Sequence, residues 1–168
     1  MTEGERQRTS MRGHRDLKVF QCAYRLAMDV FDESKMFPRE ERYALIDQIR
    51  RSSRSVATNI AEGFRKRRYP NMFISKLADA DGEATETQVW LDFAHDCGYL
   101  IRERHGRFMG GYEEVGRMLG GMMAHPERFL PLSSVFCLLP SVVGVLATAS
   151  GFLPTACCLL LSVFWKGG

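Results

Sequence analysis

The sequence predicts an all-α fold, an antiparallel up-down-up-down four-helix bundle, and three observations predict it. From Asp16 to Met123 apolar residues recur at steps of three and four, the spacing that gathers one face of a helix. Nothing in that span alternates apolar and polar residues as a half-buried strand does. The pattern is cut at Pro38, at Tyr69-Pro70 and at Cys97-Gly98. The four segments this leaves are joined by short links, which favour antiparallel neighbours.

Each element has its own grounds. The first helix carries Phe20, Ala23, Ala27, Val30 and Ser34 as its stripe, flanked by Val19, Tyr24, Leu26 and Phe31. Asp16 is expected to cap it, its carboxylate accepting free N–H groups of the first turn. Pro38 closes this segment and suits the first turn of the next, where its missing N–H costs nothing. Glu40 and Glu41 suit the positive end of that second helix, expected from about Pro38 to Arg68. Its seam is Ile46, Ile49, Ser53, Val56, Ile60 and Gly63, widened by Ala57, Ala61 and Phe64. The third helix starts at Pro70 and turns Phe73, Leu77, Ala80, Ala84, Thr87, Leu91 and Ala94 inward; Gly98 is its expected left-handed cap. The fourth shows Phe108, Tyr112, Val115, Leu119 and Met122. Gly106, Gly110, Gly111, Gly116, Gly120 and Gly121 each cost about 1 kcal/mol relative to Ala inside a helix, so packing must hold this element. Small inner residues in the third helix and glycines in the fourth leave a lone bundle little area to bury. Self-association is therefore expected.

Composition sets the outer limits. Of 168 residues 45% are apolar and 11% aromatic, which excludes a disordered chain. The net charge of +3 is a weak guide to partners, but its distribution is uneven. Residues 1–70 hold 16 basic against 10 acidic side chains, residues 71–130 hold 6 against 10, and residues 131–168 hold only Lys166. Five cysteines, an odd number with three in the tail, do not make a disulfide scaffold, and a reducing cytoplasm is the simpler expectation. The opening Met-Thr-Glu-Gly-Glu-Arg contains no apolar run, so no secretory leader is expected. The organisation read here is a disordered terminus at 1–13, the bundle at 14–125 and an uncharged apolar tail at 126–168. Phe129 to Trp165 spans 37 residues without an Asp, Glu, Lys or Arg. Three readings stand: an accidental extension without structure, a membrane anchor over Ser141–Trp165, or a packed soluble segment. Pro140, Pro154, Gly144 and Gly151 interrupt the stretch without excluding a span. Cytoplasmic location is expected, with a tail-anchored membrane protein as the alternative.

Two sets of side chains are functional candidates. Ser52, Ser55, Asn59 and Glu62 share one face of the second helix, and Glu86 and Gln88 of the third are expected to meet them. This is read as an inter-helix hydrogen-bond network that sets register, with a polar binding site as the alternative. The second set is basic. Arg50, Arg51 and Arg54 lie away from the seam, and Arg65, Lys66, Arg67 and Arg68 close the helix. Cations near a helix C-terminus need no ligand, and Asp47 can pair with Arg51 and Glu62 with Lys66 at i, i+4. Arg50, Arg54, Arg65, Arg67 and Arg68 have no such local partner. The cluster is either a nucleic-acid contact of the sequence-tolerant phosphate type or a solvated face. Metal and catalytic signals are poor. The four histidines show no i, i+4 pairing, and His95-x-Cys97 alone is no zinc site. No nucleophile elbow or phosphate loop is present. No catalytic residue, metal or cofactor is expected.

Several phrases carry a family resemblance. Asp16-Leu-Lys-Val-Phe-Gln opens the first helix and Phe37-Pro-Arg-Glu-Glu-Arg-Tyr leads to the second. Gln48-Ile-Arg-Arg-Ser-Ser-Arg-Ser-Val-Ala-Thr-Asn-Ile-Ala-Glu-Gly63, Glu86-Thr-Gln88, Gly98-Tyr-Leu100 and Glu114-Val-Gly-Arg-Met-Leu119 follow in order. Together, over residues 16–125, they resemble the four-helix-bundle family of proteins encoded within intervening sequences of bacterial 23S ribosomal RNA genes. The accessory variability proteins of diversity-generating retroelements are similar to the same family. The resemblance implies a homopentamer to which no catalytic activity is assigned. In the retroelement branch it implies binding of RNA or DNA and of a reverse transcriptase through basic surface. Ala80-Asp81 and Ala84 depart from the family's Gly-Ser and first Glu at those places, and the tail after Pro126 has no counterpart in it. The function expected is a non-enzymatic, nucleic-acid-associated accessory protein; the alternative is a structural or protein-interaction module without nucleic-acid binding.

Overall fold

The computed structural model describes residues 12–129; the expectations for residues 1–11 and for the tail from residue 130 lie outside them. The described chain is helical, without strands, and is built on α1 (Lys18–Glu33), α2 (Asp47–Lys66), α3 (Pro70–Asp96) and α4 (Arg102–Ala124). Each helix packs on the next, and α4 packs back on α1. Cross-helix partners run in opposite order. Ser52 meets Thr87 while Asn59 meets Lys76 between α2 and α3. Glu33 meets Arg104 while Asp29 meets Arg107 between α1 and α4. These pairs are therefore antiparallel.

All the inner positions expected of α3 and α4 are buried. Phe73, Phe108 and Tyr112 supply the bulk that Ala80, Ala84 and Thr87 do not. In α1 the inward stripe is Val19, Ala23, Ala27 and Val30, and the buried Ser34 continues it just past the helix end. Phe20, expected in that stripe, is instead half-buried against the rings of His14 and Tyr24, because Val19 takes the inner position one residue earlier.

Two helix starts differ from expectation. Asp16 does not cap α1; the residue there is Leu17, with no side-chain cap. The Asp16 carboxylate turns back to accept the N–H groups of Arg12 and Gly13, at 2.7 and 2.9 Å, and so closes the turn before the helix. The second helix is not continuous from Pro38. Pro38 has an extended ψ of 143°, a 3-10 turn covers Arg39–Glu41, and a wide π turn covers Arg42–Ile46. The wider turn brings both Leu45 and Ile46 inside before α-helical spacing resumes.

One glycine is required by its backbone conformation and another packs closely against a neighbouring helix. Gly98 has a φ of +79° and ends α3, with the N–H groups of Tyr99 and Leu100 returning to the Ala94 carbonyl at 2.9 and 3.1 Å. Gly111 faces α1, where a Cβ would stand 2.6 Å from Leu26 Cδ2.

Candidate nucleic-acid interface

α2 presents the basic residues because its apolar seam is narrow. Ile49, Val56, Ile60 and Phe64 face the core, and Arg51, Arg54 and Arg65 are left exposed; the helix ends at Lys66 and not at Arg68 as expected, so Arg68 is exposed in the turn that follows. Eleven residues separate Arg54 from Arg65, about 16 Å along the axis and three turns apart on nearly one line. The stripe thus joins the middle of α2 to its C-terminal end. Among the described residues, none of Arg50, Arg51, Arg54, Arg65, Arg67 or Arg68 has a carboxylate within ion-pair distance. The expected Asp47–Arg51 pair does not form; Asp47 instead borders an open depression with Arg50, Arg51, Arg54, Ser55 and Thr58.

Two of the seven basic residues are tied into the fold. Arg50 Nε donates to Ser34 Oγ at 2.7 Å, and its guanidinium lies 4.8 Å from the Phe31 ring. Arg67 donates to the Phe64 carbonyl at 2.8 Å and stacks 3.9 Å from that residue's ring. Burial, and then the charge of Arg65, push the Arg67 pKa down. Lys66 is 3.9 Å from Glu62, a loose pair between half-exposed groups and worth little. Arg54 also lies 5.5 Å from the Phe31 ring but stays exposed, so the exposed members of the seven without a carboxylate partner among the described residues are Arg51, Arg54, Arg65 and Arg68.

The polar network differs from expectation in its α3 members. Asn59 donates to Ser55 Oγ at 3.3 Å, and Lys76 Nζ lies 3.2 Å from Asn59 Oδ1, from Glu62 and from Asp79. Lys76 is thus the hub, and the hydrogen bonds and charges of Asp79 and Glu62 push its pKa up. Glu86 and Gln88 do not reach α2. Glu86 accepts the indole N–H of Trp90 at 3.1 Å on its own helix. Gln88 has no partner among the described residues. Both flank the inward Thr87, so their side chains leave along the sides of α3. Ser52 does reach α3, through a buried 2.9 Å hydrogen bond with the Thr87 hydroxyl. Residue spacing alone does not reveal Lys76; antiparallel register does, since pairing Ser52 with Thr87 sets Asn59 near Lys76.

Sequence spacing also missed a histidine contact. The rings of His95 and His105 lie 4.7 Å apart, with Asp96 at 3.1 Å from the first and Asp92 at 2.7 Å from the second. Among the described residues no group of three or more His, Cys, Asp or Glu side chains is placed to hold a metal, and no helix is long and apolar enough to cross a membrane.

Comparison with known proteins follows the bundle. The profile of a family described as 23S rRNA-intervening sequence protein matches residues 15–121. A crystal structure of a protein of unknown function from the S23 ribosomal protein family of Bacteroides thetaiotaomicron is similar, with 26% identity and a TM-score of 0.58. The match covers 62% of this chain and 97% of that one. No curated protein matches.

Proposed function

The chain belongs to the 23S rRNA-intervening sequence protein family, and from that premise we propose that it is a non-enzymatic, self-associating bundle that binds RNA or DNA through the outer face of α2. The observation that carries this reading is the exposed stripe Arg51, Arg54, Arg65 and Arg68, which has no carboxylate partner among the described residues. Guanidinium groups held this way match phosphate oxygens in geometry and charge. In a cyclic assembly the stripe repeats, and its field adds. Phosphate contacts position a protein on nucleic acid and do not read sequence, so binding is tolerant of sequence. The inward ties of Arg50 and Arg67 favour the rival reading, a structural module without nucleic acid, because they show that part of the cluster serves the fold.

The test is the triple variant Arg51→Gln, Arg65→Gln and Arg68→Gln. It spares Arg50 and Arg67, and Gln keeps helix propensity close to that of Arg. Binding of mixed-sequence single-stranded RNA and of duplex DNA at low salt is expected to weaken to a similar degree for every sequence, with helicity unchanged. A variant that binds as tightly as the parent, or a parent that does not bind, hands the lead to the structural module.

A further inference from the structure

A shallow groove runs between α1 and α2. Its floor is made of the small residues Ala57, Thr58 and Ala61, which lie between Arg54 and Arg65 along α2. Two depressions of about 440 and 580 Å³ form it, and they share His14, Thr58 and Ala61, so the groove is continuous. The wall on the α1 side is aromatic. The rings of Phe20 and Tyr24 stack 6.0 Å apart at 28°, and His14 meets Phe20 edge-on at 4.7 Å. Tyr24 lines the groove and is 57% exposed. Cations stand at both ends. Arg54 borders the first depression, and Arg65 and Lys66 border the second. Glu62, the carboxylate on this rim, is held by Lys76 at 3.2 Å and by Lys66 at 3.9 Å.

We propose that this groove takes unpaired bases of a single strand, with Tyr24 as the stacking platform and with Arg54 and Arg65 on the flanking phosphates. The charge at both ends selects this occupant. An amphiphile with one anionic head uses one end of such a groove, whereas a nucleic-acid strand has a phosphate on either side of each base and meets both ends at once. Exposed aromatic rings hold unpaired bases in this way, and they tolerate any sequence because every base has a π face. The bases of a duplex are paired inside the stack and reach a groove only by being extruded from it. This inference rests on the proposed binding of RNA or DNA, shares Arg54 and Arg65 with it, and adds that the ligand is single-stranded.

The experiment is fluorescence anisotropy at low salt on the full-length chain and on Tyr24→Phe, Tyr24→Leu and Ala61→Leu, with circular dichroism to confirm folding. The probes are a mixed-sequence single strand, made as RNA and as DNA, and an abasic DNA strand of the same length, which keeps the phosphates and lacks the bases. The parent is expected to bind a base-bearing strand about tenfold or more tighter than the abasic one, and the larger of the two preferences marks whether the groove takes RNA or DNA. Tyr24→Phe keeps the ring and is expected to keep that preference. Tyr24→Leu removes the ring while leaving apolar bulk, and Ala61→Leu fills the floor; each is expected to lose the preference. Tyr24 is exposed and Ala61 half-buried, so folding is expected to survive, and either variant carries the test without the other. A parent that binds the abasic strand as tightly as the others overturns the base groove and leaves the phosphate contacts standing. A parent that binds no strand overturns both. A preference that survives in Tyr24→Leu and Ala61→Leu, or that is already lost in Tyr24→Phe, overturns the stacking on Tyr24.

Discussion

Tyr112→Phe is expected to stabilise the bundle. Tyr112 is 1% exposed in α4, and its hydroxyl is enclosed without a hydrogen-bond partner among the described residues. Thr87 faces it, but the single proton of the Thr87 hydroxyl is directed at the Glu83 carbonyl at 2.8 Å or at Ser52 Oγ at 2.9 Å and is not donated to the phenol. A buried polar group left unpaired costs about 1–3 kcal/mol. Removing the oxygen keeps the ring and its packing, so the gain is set near the low end, about 1 kcal/mol, by the small cavity left behind. For a bundle of this size that corresponds to a rise in Tm of about 3–5 °C. The pH dependence gives a second reading of the same group. Burial pushes the Tyr112 phenol well above the usual tyrosine range, whereas in the unfolded chain it titrates near pH 10. The folded state therefore favours the neutral phenol. Its contribution is fully present below about pH 10 and is lost as pH rises toward the folded value. Urea melts at pH 7 and at about pH 11, at one protein concentration because assembly shifts apparent stability, check both points. The variant is expected to be the more stable at pH 7, and its lead is expected to widen at the higher pH. A loss of 1 kcal/mol or more at pH 7 would refute the reasoning by showing that the hydroxyl is satisfied.

Other predictions concern the glycines and Lys76. Gly110→Ala and Gly120→Ala add a Cβ that meets nothing within 4 Å, so each is expected to raise stability by about 0.5–1 kcal/mol. Gly111→Ala sets its Cβ against Leu26 and is expected to lower Tm; equal effects at the three sites contradict the packing described. Lys76→Met removes the hub shared by Asn59, Glu62 and Asp79 and is expected to lower Tm at low salt. The deficit is expected to shrink at about 1 M salt, where exposed charges are screened; a deficit that salt does not change assigns the role of Lys76 to packing.

Much of the bundle was legible because it follows from period alone. Phe73, Leu77, Ala80, Ala84, Thr87, Leu91 and Ala94 recur at helical steps and are all buried, and Pro70 and Gly98 mark the ends of α3 through their backbone limits. The start of α2 was not legible. A π turn at Arg42–Ile46 shifts phase by one residue, and only the tertiary demand to bury both Leu45 and Ile46 selects it. The basic set was legible as a list of residue types. Which members are free was not, because Arg50 is held by Ser34, sixteen residues away, and Arg67 by the ring of Phe64. Lys76 was missed for the same reason: its partners on α2 are set by antiparallel register and not by neighbours in the chain.

The salt dependence of nucleic-acid affinity tests the central claim most directly. Phosphate contacts release counterions, so the logarithm of the binding constant falls linearly with the logarithm of salt concentration. The measurement is that slope for the full-length chain and for the triple variant Arg51→Gln, Arg65→Gln and Arg68→Gln, on one mixed-sequence oligonucleotide. The account predicts a steep slope for the parent and a slope shallower by about 1 for each cation removed from a phosphate, about 3 for the triple variant. Identical slopes, or a parent whose affinity ignores salt, would contradict it.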